Sequence, residues 1–205
     1  MKSATAFATI ALAGAALASP VPDSVAAAPP AFKIDGVTYG GSGCPQGSIN
    51  VEYTSQGILP IYFNKQFTAS VGSGVAPEEA RKFCQLNLSL NYSPGWSYAV
   101  YSADYTGYAS VDDGVKGTIK STYYFSGETA ESSSSLQING PFTGKYVKND
   151  DVAVSVWSPC SGSSLFNVRA EVALTPLGTY ASGTIATVKE TGKFTNSLYI
   201  KWKQC

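Results

Sequence analysis

Phe166, Val168, Ala170, Val172 and Leu174 alternate with Asn167, Arg169 and Glu171. A step of two is the repeat of an extended strand whose neighbouring side chains point to opposite faces, so Leu165–Leu174 reads as a strand with one apolar and one polar side. Leu86, Leu88 and Leu90 repeat the pattern against Gln85, Asn87, Ser89 and Asn91, as do Val152, Val154 and Val156. Leu198, Ile200 and Trp202 do the same against Tyr199, Lys201 and Lys203. Further strands are predicted at Ile49–Tyr53, Ile58–Asn64, Phe67–Val71, Trp96–Val111, Lys116–Phe125, Ser134–Ile138 and Gly183–Lys189. In Trp96–Val111 the apolar parity changes from Trp96, Tyr98 and Val100 to Ala103, Tyr105 and Val111, which predicts a bulge or bend. Gly, Pro, Asn, Asp and Ser clusters punctuate the runs, and the tract Ser132–Ser135 reads as a solvated loop. One segment, Ala76–Phe83, has an early proline, acids first and bases last, which suits one or two helical turns. The expected fold is an all-β antiparallel sandwich of about ten strands with one short helix and two disulfides.

The N-terminus carries a different signal. Lys2 leads into the small-apolar run Ala6–Ala18, and Ala16-Leu17-Ala18 offers the small residues of a signal-peptidase site, so residues 1–18 are expected to be a secretory leader. The run is too short for a membrane span, and a secreted, extracellular, unanchored chain is expected. Residues 19–33 are rich in proline and alanine and read as a flexible spacer, leaving 34–205 as a single sandwich domain.

Charge and residue inventory remove several function classes. The chain holds 14 basic and 14 acidic residues, and without Lys2 the balance falls to about minus one. Its one adjacent basic pair, Arg81-Lys82, sits beside Glu78 and Glu79, which argues against a nucleic-acid partner. Histidine is absent, so Ser-His-Asp and Cys-His hydrolysis, His-ligated metals and imidazole bases are unavailable. Carboxylate-pair chemistry and calcium binding through oxygen survive that exclusion. Cys44, Cys84, Cys160 and Cys205 are an even, widely spaced set with no C-x-x-C pair, which in an oxidising compartment implies two disulfides. Three pairings are possible, and sequence nearness favours Cys44 with Cys84 and Cys160 with Cys205.

Several segments together resemble a known family. They are Gly40-Gly41-Ser42-Gly43-Cys44-Pro45-Gln46-Gly47-Ser48, Gly74-Val75-Ala76-Pro77, and Arg81-Lys82-Phe83-Cys84-Gln85-Leu86-Asn87-Leu88. Asp104-Tyr105-Thr106-Gly107-Tyr108-Ala109, Ser121-Thr122-Tyr123-Tyr124-Phe125-Ser126-Gly127, Trp157-Ser158-Pro159-Cys160 and Trp202-Lys203-Gln204-Cys205 complete the set. The pattern is similar to that of fungal secreted proteins grouped as domain of unknown function 4360, and it spans about residues 34 to 205 with all four cysteines inside. The resemblance implies secretion, an ascomycete-type origin, paired cysteines and a β-rich fold. It assigns no catalytic residues.

The remaining residues support binding more readily than catalysis. Asn87-Leu88-Ser89 and Asn91-Tyr92-Ser93 are glycosylation sequons on the outward parity of one strand, with Pro94 weakening the second. Asp112-Asp113-Gly114 and Asn149-Asp150-Asp151 fall between predicted strands, where turn capping accounts for them without catalysis. Most aromatics of a sandwich serve its core, but an outward row could stack on sugar rings. Asp104, Thr106 and Gly107 argue for a partly wet strand, so Tyr101, Tyr105 and Tyr108 are expected to face out and, with Asp104, to form a ligand surface. No catalytic residue, cofactor or metal ligand is assigned.

The expected function is that of a secreted, monomeric, non-catalytic binding or effector-like protein, glycan- or cell-wall-associated. Its ligand would be a polysaccharide or a host or wall protein. The alternatives are a carboxylate-dependent glycan-active enzyme, which needs two acids converging in a cleft, and a structural wall protein with no specific ligand.

Overall fold

A computed structural model describes residues 31–152, 156–176, 181–187 and 194–205. Among them run the strands β1 (Phe32–Gly40), β2 (Ile49–Val51), β3 (Ile58–Phe63), β4 (Ala69–Val71), β5 (Arg81–Tyr92) and β6 (Trp96–Val111). They are followed by β7 (Val115–Phe125), β8 (Glu131–Asn139), β9 (Phe142–Asp151), β10 (Ser163–Pro176), β11 (Gly183–Thr187) and β12 (Phe194–Gln204).

These strands form two antiparallel sheets. The five-stranded sheet has the order β1-β5-β10-β7-β8. In the seven-stranded sheet β2 pairs β3, β3 pairs β12, and β12 pairs the first part of β6. Beyond Thr106 that same edge of β6 pairs β11, which pairs β4, while the opposite edge pairs β9.

The alternating residues face each other between the sheets. Leu86, Leu88 and Leu90 of β5, with Phe166, Val168, Ala170 and Val172 of β10, are buried. Against them lie Leu59, Ile61 and Phe63 of β3 and Phe194, Leu198 and Trp202 of β12. Each such large side chain contributes about 1.5–3 kcal/mol by leaving water. A polar thread also crosses the interior. Asn196 Nδ2 donates to Ser121 Oγ at 2.9 Å, Tyr105 OH donates to the Ser134 carbonyl at 3.3 Å, and the Tyr105 and Tyr123 hydroxyls lie 3.4 Å apart. These contacts join β12 and β6 of one sheet to β7 and β8 of the other, and buried polar bonds of this kind specify how the layers sit together.

The disulfides are Cys44–Cys84 and Cys160–Cys205, the pairing that sequence nearness favours. The first ties the loop after β1 to β5. The second ties the C-terminus to the loop before β10, and Cys205 N donates to the Gly95 carbonyl, between β5 and β6, at 2.8 Å. Among the described residues no helix is long and apolar enough to cross a membrane.

The expected bulge is present. Pairing of β6 with β12 slips between Tyr199–Ser102 and Ile200–Val100, so Tyr101 has no partner opposite and the inward parity changes there.

Several expectations need correction. The helical segment shrinks to a 3-10 turn, Pro77–Ala80, because Arg81, Lys82 and Phe83 already pair with β10 as strand β5. Ser132–Ser135 is no loop: it lies in β8, with Ser132 and Ser134 turned into the sandwich. Asn149-Asp150-Asp151 is the end of β9, paired to Ser102–Asp104, rather than a turn. Val152 and Val156 are buried in irregular chain, not in a strand, and Val154 lies outside the described residues. Asn167, on the polar parity of β10, is nonetheless buried, with Nδ2 donating to Ser126 Oγ at 3.0 Å. The expected leader and residues 19–30 of the expected spacer lie outside the described residues. Phe32 and Lys33 of that spacer open β1, since the Phe32 ring packs 4.1 Å from Tyr53 and 5.3 Å from Trp202.

Burial pushes the phenols of Tyr98 and Tyr123 well above the ordinary tyrosine value. The native state therefore holds protons that the unfolded chain releases above about pH 10, and stability present below that pH is lost as the pH climbs past it. With no histidine and all four cysteines bridged, no side chain of ordinary pKa titrates near neutrality. Urea midpoints at pH 6 and pH 8 should coincide, and the midpoint at about pH 11 should fall. An undiminished midpoint at that alkaline pH would contradict the buried-phenol account.

Candidate functional site

The outer faces of the two sheets present different chemistry. On the seven-stranded sheet, the bulge in β6 pushes Tyr101 outward, where it is 41% exposed. Its ring centroid lies 6.2 Å from that of Tyr199 on β12. Asp104, two residues beyond Ser102 on the same face, accepts from Tyr199 OH at 2.5 Å and from Asn149 Nδ2 at 2.7 Å. The bond to Asp104 raises the Tyr199 phenol above its usual pKa, with smaller contributions from partial desolvation and the nearby carboxylate charge. Both carboxylate oxygens of Asp104 are thus engaged by the protein itself.

The expected ligand surface is only partly assembled there. Tyr101 and Asp104 are neighbours, and they are joined by Tyr199, which faces out as its parity predicts, and by Asn149. Tyr105 does not face out: it is 0% exposed, its ring stacked near Phe194 in the core and its hydroxyl bonded across to the other sheet. The reason is parity, since past the bulge the odd-numbered residues of β6 point inward. Tyr108 is half-buried, four residues and about 13 Å along the strand from Asp104.

On the five-stranded sheet, a groove of about 480 Å³ is lined by Arg81, Gln85, Lys120, Thr122, Tyr124, Glu131, Arg169 and Glu171. Its walls follow from strand register. Gln85 of β5, Arg169 of β10 and Thr122 of β7 stand directly opposite one another in one row. The next row brings Phe83, Glu171 and Lys120 together, and the row on the other side brings Asn87, Asn167, Tyr124 and Glu131. Neighbouring strands sit about 4.8 Å apart, so the rows set hydrogen-bonding groups at regular intervals across the sheet.

Internal contacts hold the groove in place. Arg81 Nη2 donates to Glu171 Oε2 at 2.5 Å, and that bond, followed by charge attraction, raises the Arg81 pKa. Arg169 Nη2 lies 4.0 Å from the same oxygen, and its guanidinium sits 5.6 Å over the Phe83 ring. The groove can donate through Arg81, Gln85, Lys120, Thr122 and Arg169, accept through Glu131 and Glu171, and offer the Tyr124 ring.

The two carboxylates do not converge. Glu171 and Glu131 flank β7 opposite Lys120 and Tyr124, so their backbones are about 10 Å apart across the sheet and about 13 Å along it. Retaining glycosidases need about 5 Å between carboxyl groups and inverting ones about 6.5–9.5 Å. Asp112 Oδ2 accepts from Ser182 N at 3.0 Å, which ties the turn after β6 to the residue before β11. Among the described residues no three His, Cys, Asp or Glu side chains gather as a metal site. Asn87 and Asn91 lie on the outer face of β5, Asn87 donating to Thr38 Oγ1 at 3.5 Å and Asn91 exposed.

The family described as Domain of unknown function (DUF4360) matches residues 30–205. A protein of Arthroderma benhamiae named "Uncharacterized secreted protein" is 39% identical over 190 residues, covering 91% of this chain and 74% of the relative. Among solved structures, TmCBM61 in complex with β-1,4-galactotriose is 10% identical with a TM-score of 0.30, covering 84% of this chain and 91% of its own. The family 11 carbohydrate-binding module from Clostridium thermocellum, in complex with a β-1,3-1,4-mixed-linked tetrasaccharide, is 7% identical with a TM-score of 0.23, covering 80% and 87% respectively. Likenesses this distant carry no ligand across to this chain.

Proposed function

We propose that this chain, which belongs to the family described as domain of unknown function 4360, is a secreted protein that binds a glycan along the groove of its five-stranded sheet without transforming it. The observation that carries this reading is the row Gln85, Arg169 and Thr122, set in register across three strands beside Tyr124. A sugar chain presents hydroxyls at regular intervals and apolar ring faces between them. Fixed polar groups can bond the former while an aromatic ring meets the latter. The scaffold is rigid hydrogen-bonded sheet, so little side-chain and loop freedom is lost on binding. The wide separation of Glu131 and Glu171 counts against the glycan-hydrolase alternative.

Binding of the oxidised protein to immobilised wall polysaccharides, followed by calorimetry on soluble oligomers, tests the reading. Gln85→Ala and Tyr124→Ala should each weaken binding by about tenfold, the equivalent of one good polar or stacking contact. Tyr101→Ala, on the opposite face, should leave affinity unchanged. Silence of the wild-type protein towards every glycan sinks the proposal, and loss of binding in the Tyr101 variant alone would move the site to the other sheet.

A further inference from the structure

The charges of the groove are unevenly placed. Glu171 stands directly opposite Lys120, two residues from Arg169 on the same face, 2.5 Å from Arg81 Nη2 and 4.0 Å from Arg169 Nη2. One carboxylate therefore stands among three cations and pairs with the two arginines. Glu131 lies at the other end, opposite Tyr124 and about 13 Å along β7 from Lys120, beyond the screening length of about 10 Å at 0.1 M salt. Among the described residues Lys120 has no ion-pair partner within 4.0 Å, although Glu171 is its cross-strand neighbour. Arg169 is half-exposed, its guanidinium over Phe83. Lys116 adds a further positive charge on the same outer face of β7. The chain as a whole carries equal numbers of basic and acidic residues, so this excess is local.

We propose that the groove takes an anionic glycan, one whose units bear carboxylate or sulfate groups, and that Arg169 and Lys120 hold the anionic group. This inference rests on the glycan-binding reading above and names the class of sugar. A guanidinium presents a planar fork that matches a carboxylate or sulfate edge, and the lysine adds a point charge beside it. Gln85 and Thr122 flank Arg169 in the same row, within reach of the hydroxyls next to the anion, and Tyr124 offers its ring one row away. A neutral chain laid in the groove would strip water from both cations and give neither a counter-charge.

The test compares an oligogalacturonate, its fully methyl-esterified form, a sulfated oligosaccharide of similar length, and a neutral β-glucan oligomer, by calorimetry at two salt concentrations. At least one of the two acidic probes should bind, more weakly at the higher salt. Which of them binds identifies the anion as carboxylate or sulfate. The ester and the neutral oligomer should bind at least about tenfold more weakly, and Arg169→Gln and Lys120→Gln should each lower affinity for the acidic probe by about tenfold. Both positions are exposed, and an unchanged thermal midpoint checks that each variant is folded. If the neutral or esterified probes bind as well as the acidic ones, the anion preference is overturned while the glycan reading stands. If an acidic probe binds and neither variant weakens it, the assignment to Arg169 and Lys120 is overturned. If no probe binds, the glycan reading falls as well.

Discussion

Reduction of both disulfides should unfold the protein at 37 °C. Cys44–Cys84 and Cys160–Cys205 close loops of 40 and 45 residues. In the chain-entropy account each loop of that size limits the unfolded ensemble by about 4 kcal/mol. Together they approach the whole stability of an ordinary domain, about 5–15 kcal/mol. Each bridge also pins irregular chain to the rest of the fold. The 3-10 turn has no buried residue, and Cys44–Cys84 fixes the loop between β1 and β2 against the start of β5 beside that turn. Cys160–Cys205 joins the last residue to a segment that is also held by Gly95 N to the Cys160 carbonyl at 3.1 Å and by Tyr92 OH to the Pro159 carbonyl at 2.6 Å. Urea unfolding of the oxidised protein, of the Cys160→Ala/Cys205→Ala variant and of the reduced protein should give stepwise lower midpoints. A reduced protein with the oxidised midpoint would refute the dependence.

Tyr98→Ala should be the most damaging single substitution in the core, at about 3–5 kcal/mol. The Tyr98 ring lies 5.1–6.3 Å from the rings of Trp202, Phe125, Tyr92, Phe166 and Phe32. Tyr98 and Trp202 belong to the seven-stranded sheet and the other four rings to the five-stranded one, so removing Tyr98 opens a cavity where the layers meet. Its hydroxyl lies 2.9 Å from Ser164 Oγ. Tyr98→Phe keeps the packing and loses that bond, which should cost about 1 kcal/mol. Chemical denaturation of both variants measures the difference. A Phe variant as unstable as the Ala variant would mean that the hydrogen bond, and not the ring, holds the layers.

The strands that could be read in advance are those with a run of apolar residues on the inner face, such as β10, β5 and the Leu198–Trp202 part of β12. β1 and β9 could not. In β1 the pairing with β5 slips between Ile34 and Gly36, so Phe32 and Ile34 share a parity that Val37 and Tyr39 do not, and the alternation breaks within nine residues. β9 is an edge strand that buries Tyr146 while Phe142, Gly144 and Lys148 of the same parity are only half-buried, too dilute a pattern to announce itself. The first half of β8 reads as a loop because its residues are serines, yet the strand turns Ser132 and Ser134 inward. The candidate site was less legible still. Each groove residue carries only the weak mark of a polar side chain on an outward parity, a mark shared by Thr118, Ser133 and Gln137.

Local order along the chain settled the β class, the face each strong strand buries, the chemistry that a chain without histidine forgoes, and four sulfurs able to pair. These are properties of neighbours two residues apart or of composition, and no folding is needed to read them. The groove belongs to the tertiary structure. Arg81 and Glu171 are 90 residues apart in sequence, and Gln85, Arg169 and Thr122 come from three separate strands. Periodicity states which way a side chain points from its own strand. Only the order and register of the sheet state what stands beside it, and a binding surface is made of what stands beside what.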